Sequence, residues 1–186
     1  MPFTPLHMGP GMALKAAIPR HFSIVVFGLT QIALDLEVLW YLIRWDPPLH
    51  RFWHTYLGAT IIAVVMTGLG KPASQRITML WNRIAAKCSD ADLSVTVRTT
   101  WLSSFTGAVL GAYSHILIDS LSHPDIEPLQ PWSPSNRLRG VIDPHVVEML
   151  CVLLGIIGIA WFLMRERKQR KMNQPARLTP SGGPGK

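Results

Sequence analysis

The sequence predicts an all-α, polytopic membrane protein, and three observations carry that reading. Four apolar runs, residues 22–43, 53–69, 97–121 and 145–164, approach or exceed the ~20 residues needed to cross ~30 Å of hydrocarbon. Charged residues make up 16% of the chain, well below the ~25% of a soluble domain, and mean hydropathy is +0.24. The basic residues are distributed by side: 14 of the 18 Lys and Arg fall on the N-terminal flank, between the second and third runs, or after the fourth. The positive-inside rule then places both termini and the loop between the second and third runs in the cytoplasm, and the loops after the first and third runs outside.

The first run follows Lys15 and Arg20 and is too long for a cleavable signal core, so it reads as an uncleaved anchor. The second is the shortest and needs its flanks to span. After it, residues 73–87 fit an amphipathic helix on the membrane surface, with Ile77, Leu80, Trp81 and Ile84 on one face and Arg76, Arg83 and Lys87 free to snorkel. The third run carries a ridge of Ser103, Gly107, Gly111, His115 and Asp119 at four-residue intervals, small residues that let helices approach closely. Before the fourth, residues 122–144 hold five prolines, which favour an ordered irregular loop. Residues 1–171 form one helical membrane domain, and 172–186 read as a disordered tail rich in Pro and Gly. Seven basic residues follow the last run, so the net charge of +7 is that of a membrane anchor and no nucleic-acid partner is expected. Cys88 and Cys151 lack CxxC spacing and read as free thiols. Tryptophans near the span ends fit an aromatic belt.

Polar residues in membrane segments are costly and mark function. His50 and His54, and His115 and Asp119, are spaced i,i+4, which on a helix presents two donors to one point. With the predicted topology, Asp35, Glu37, His50, His54, His115 and Asp119 share one level near the external face. Asp35 and Glu37 lie ~200° apart on a regular helix, so only one should face a common ion; Asp35 is favoured, sharing its ridge with Gln31. His and carboxylate donors suit Zn²⁺, with Mn²⁺ or Fe²⁺ as alternatives. Three ligands and an open position would activate water, and five or six could hold two metals. A remaining carboxylate, Glu37, is a candidate base, and Arg51 a candidate anchor for an anionic substrate. His123 continues the ridge of His115 and Asp119 and is open as ligand or loop contact. His21 and His145 read as helix-end residues, and Asp125, Glu127 and Asp143 as loop residues at the water surface.

The segments MPFTPLHMGPG, IALDLE, HRFWHT and GAYSHILIDSLSHPDIEPLQPWSP resemble those of the predicted membrane-bound metal-dependent hydrolases of the YdjM type, described as LexA-regulated. The resemblance covers residues 1–134. It adds His7 to the metal set, implies roles for Asp35, Glu37, His50, Arg51, His54, His115 and Asp119, and implies a bacterial inner-membrane hydrolase. The sequence departs where Glu37 replaces the family's usual aspartate and Trp53 its usual threonine. His7 would then need residues 5–17 to form a re-entrant half-helix from the outer face. A lipid or lipid-linked phosphoester is the expected substrate class. A metal or proton transporter or sensor, or a scaffold with a structural metal, are the other readings of the same residues.

Overall fold

The computed structural model describes residues 4–87 and 98–173. It is all-helical: α1 (Thr4–Ala17), α2 (Ile24–Ile43), a 3₁₀ turn (Phe52–His54), α3 (Tyr56–Lys87), α4 (Trp101–Ser122) and α5 (Pro144–Asn173). Four of these helices, α2 to α5, are long and apolar enough to cross a membrane. Cys88 and the tail residues 174–186 lie outside the described residues; α5 itself continues to Asn173, past the expected end of the helical domain at 171.

Helix starts follow local chemistry. The Ser23 hydroxyl accepts from Val26 N at 3.3 Å, capping α2. Thr100 and Ser103 form a reciprocal capping box at α4, satisfying amides that would otherwise be orphaned. Both starts sit together, with Ser23 N donating to Ser103 O at 3.1 Å, so α2 and α4 run side by side in parallel. The small-residue ridge makes this possible: a Cβ on Gly107 would stand 2.6 Å from Ser23 O, and one on Gly111 2.9 Å from Phe27 O. α3 runs antiparallel to both, and Leu34, Ala59, Ala63, Ala112 and Ile116 form the apolar core between the three helices. Buried hydroxyls within these spans return to backbone carbonyls, as Thr30 does to Val26 O at 2.8 Å and Ser104 to Thr67 O at 2.9 Å, which removes the penalty of an unpaired donor in an apolar setting.

α1 has 14 residues, hence ~21 Å at 1.5 Å per residue, shorter than the ~30 Å hydrocarbon core. It descends antiparallel to α2 from the level of Gln31, whose side chain donates to His7 O at 3.4 Å, to a turn where Lys15 Nζ donates to Pro19 O and Phe22 O. A short helix therefore stands where the resemblance required a half-helix over residues 5–17. It lies against α5, where Gly9 meets Cys151 O and Gly158 meets the Met12–Ala13 backbone.

One expectation is corrected. Residues 53–69 and 73–87 do not form a span and a separate surface helix; α3 is continuous for 32 residues and passes through Pro72. The carbonyl that Pro72 leaves without a donor belongs to Gly68, where an added Cβ would have nothing within 4 Å, so the disruption falls on the open side of the helix, while Gly70 keeps the same turn packed against Val26. Beyond the proline, Ser74 Oγ bonds Thr99 Oγ1 at 2.8 Å, fixing the continuation against the start of α4. Ile77, Leu80, Trp81 and Ile84 remain exposed, as an interfacial face would be.

The glycine contact between α1 and α5 is testable. Gly9→Val or Gly158→Val forces the two helices apart and lowers stability by about 1–3 kcal/mol, read as a lower thermal melt in detergent. Gly68→Ala, in open space, leaves the melt unchanged or raised.

Candidate metal centre

Five histidines and three carboxylates converge where α1, α2, α4 and the 49–54 segment meet. α4 supplies His115 and, one turn on, Asp119, on the ridge whose glycines seat α4 against α2. Asp119 is almost fully buried and is the hub. Its Oδ2 lies 3.1 Å from His115 Nε2 and 3.8 Å from His54 Nε2, and its Oδ1 lies 3.6 Å from His7 Nε2 and 3.8 Å from His123 Nε2. Asp35 Oδ1 reaches His115 Nε2 at 3.2 Å from α2. His7 Nδ1 is 3.2 Å from His115 Nδ1.

His50 and His54 come together, their ring centroids 4.8 Å apart, but not for the reason the spacing gave. Neither lies on the spanning helix: His50 is in an irregular segment and His54 ends the 3₁₀ turn ahead of α3. Two carboxylates hold this segment instead. Glu37 accepts the backbone N–H of Arg51 at 3.2 Å and of Trp53 at 3.1 Å, and pairs with His54 Nδ1 at 2.9 Å. Asp125 accepts the backbone N–H of Leu49 at 3.1 Å and of His50 at 3.4 Å, and pairs with His50 Nδ1 at 2.9 Å. Asp125 is thus a partly exposed loop residue, as its place in the sequence suggested, but one whose carboxylate is engaged rather than free. The stretch that carries it is docked, with Pro128 O accepting Tyr56 N at 2.9 Å and Asn136 donating to Ser120 O at 2.9 Å.

Asp35 and Glu37 also both reach the cluster, although α2 is unbroken between them. The ~200° between them is accommodated because they meet different histidines on different sides of the helix. Arg51, the expected substrate anchor, spends its guanidinium elsewhere: it pairs with Asp46 at 3.0 Å, donates to the carbonyls of Pro48 and Asp46, and stacks 3.7 Å over Tyr41. His145 is exposed beside Glu148, a helix-end residue as expected. His123 stacks on His50 with centroids 4.5 Å apart, and so belongs to the cluster.

The donor set fits a metal cation. His7 Nε2, His54 Nε2 and Asp119 Oδ1 are buried with no hydrogen-bond partner among the described residues, as atoms that a bound cation could satisfy would be. Overlapping groups bring their donor atoms within 4.8 Å of one another: His7, His115 and Asp119; Asp35, His54 and His115; His50, His54 and Asp119. Burial holds the His54 imidazole below the ordinary histidine range against the opposing pull of Glu37 and Asp119, and likewise lowers His123. Both rings are thus neutral near pH 7 with a lone pair to offer. Glu37 favours the His54 tautomer that donates Nδ1–H to it, which leaves the Nε2 lone pair on the side of Asp119.

These features define a helical membrane protein with a buried His/Asp cluster able to hold a metal ion. The chain belongs to the family described as Domain of unknown function (DUF4184), whose profile matches residues 1–180. No curated protein and no solved structure matches it.

Glu37→Gln keeps the shape of the side chain but removes the charge behind His54. Metal affinity falls about 10–100-fold, measured by competition with a chelating dye, while the thermal melt in chelator changes little by comparison.

Proposed function

We propose that this protein is a membrane-bound, metal-dependent hydrolase of the YdjM-like type, acting on a lipid or lipid-linked phosphoester. The observation that carries the reading is the cage around Asp119: His7 Nε2, His54 Nε2 and Asp119 Oδ1 are buried without hydrogen-bond partners among the described residues, with His115 Nε2 beside them. A divalent cation bound there, zinc first and manganese or iron next, supplies water ionised near pH 7 and polarises a phosphoryl oxygen. His54, His115 and Asp119 hold that cation, with Asp35 and His7 beside them; Glu37 positions His54. The wall of the cage is nearly closed, and its accessible edge is formed by Asp35, His123 and Asp125, whose side chains are 27%, 16% and 30% exposed. Substrate enters from that edge, where Asp35 stands beside the cation.

A lipidic substrate is supported by where this edge lies. The cluster sits toward the bundle end that carries Trp45 and Trp132, both highly exposed, as residues of an interfacial belt are. The opposite end carries Lys15, Arg20 and Arg165, and Arg165 donates to Ala16 O at 3.0 Å. By the positive-inside rule the cluster faces outside. Ser135→Cys in a Cys88→Ser background should react with a membrane-impermeant thiol reagent in right-side-out vesicles, and Ser181→Cys should react only after permeabilisation. The reverse pattern would place the site in the cytoplasm.

The decisive experiment is metal content by mass spectrometry on detergent-purified protein, paired with phosphoester release from phospholipid micelles. Wild type should carry near-stoichiometric metal and release product. His54→Ala and His115→Ala should lose metal and at least about 100-fold of activity. Metal bound with no hydrolysis of any phosphoester would favour transport or sensing. Absence of metal after reconstitution with zinc, manganese and iron would end the metallohydrolase reading.

A further inference from the structure

Eight donors crowd into one cage: His7, Asp35, His50, His54, His115, Asp119, His123 and Asp125. A zinc ion takes about four ligands, so one tetrahedral ion leaves half of the set unused. The arrangement around Asp119 shows how the set divides. One carboxylate oxygen, Oδ2, faces His54 and His115, with Asp35 beyond. The other, Oδ1, faces His123 at 3.8 Å and His7 at 3.6 Å, and it is the oxygen left with no hydrogen bond. His7 also touches His115 Nδ1, so it walls the buried side, while His123 stands at the accessible edge with His50 stacked on it.

The second half is built like the first. Glu37 takes His54 Nδ1 and two backbone amides; Asp125 takes His50 Nδ1 and two backbone amides. A carboxylate that holds one ring nitrogen of a histidine leaves the other as a lone-pair donor, the usual support behind a metal-binding imidazole. Repeating the device four residues away has no purpose for a ring that merely packs. His50 of this pair brings a donor atom within 4.8 Å of His54 and Asp119.

We propose that the cage holds two divalent cations bridged by Asp119, an inner one between His54, His115 and Asp35, and an outer one between His50 and His123, with Asp125 fixing His50. This deepens the hydrolase reading and rests on the same cluster. The outer position lies at the edge through which solvent reaches the cage, and two cations about 3.5–4 Å apart are the arrangement that grips both attacking and leaving oxygens of a phosphoester.

The test is the metal-to-protein ratio of purified protein reconstituted with manganese, together with its electron paramagnetic resonance spectrum. Wild type should bind two equivalents and give the broad signal of an exchange-coupled pair. His123→Ala should retain one equivalent with the sharp signal of an isolated ion; the retained inner ion also reports that the fold is intact. Asp125→Asn should weaken only the second equivalent, by about 10–100-fold. One equivalent in the wild type would overturn the outer site and leave the single-metal hydrolase standing. Two equivalents in both wild type and His123→Ala would overturn the assignment to this edge. No manganese, zinc or iron bound by the wild type would overturn both readings together.

Discussion

A carboxylate buried in an apolar helix bundle has to be neutralised, and the position of Asp119 makes that demand of everything around it. An ionised group without partners costs several kcal/mol after relaxation. Here imidazoles from the N-terminal half-helix, the 49–54 segment, α4 itself and the start of the 122–143 stretch all point at its two oxygens. They reach it because α4 lies unusually close to α2, at glycines that admit no side chain. The close approach sets Asp35 against His115, and the same level then receives His7 from α1. Polar convergence and small-residue packing are thus one design, since neither would be placed without the other.

Much of this was legible in the sequence, and the reasons differ by element. The spans were readable because crossing hydrocarbon imposes a length and an apolar composition that no local context overrides. The ridge from Ser103 to Asp119 was readable because α4 is a regular helix, where four-residue spacing means one face. The same inference gave the right proximity for His50 and His54 on the wrong grounds: no helix carries them, and two carboxylates distant in sequence hold them instead. Such tertiary clamps leave no periodic trace. Asp125 escaped notice for that reason, placed among prolines where solvated acids are common. His123 did leave a signal, continuing the ridge by one more turn, although its own backbone is already extended.

The limit of sequence reasoning is plainest at Pro72. A proline between an apolar run and an amphipathic one ordinarily divides two helices. Here the carbonyl it strands faces open space, Gly70 in the same turn packs on Val26, and a hydroxyl pair beyond it fixes the continuation, so the chain stays helical. Asp35 and Glu37 teach the same lesson. Angular separation on a helix excludes a shared partner but not a shared cluster, once partners stand on both flanks.

The donors are scattered along the chain from residue 7 to residue 125, and this spacing bears on biogenesis. α1 to α3 are synthesised before α4. Until α4 inserts, Asp35 lacks His115 and the completed cage, and an uncompensated acid in a span carries a penalty of about 2.5–3.5 kcal/mol. The first hairpins are therefore poorly settled in lipid alone. Arrival of His115 and Asp119 converts that liability into mutual neutralisation, and the loop bearing Asp125 then locks the 49–54 segment from the other side. The cluster is in this sense completed late in membrane assembly: a chain truncated before α4 lacks the imidazole that neutralises Asp35.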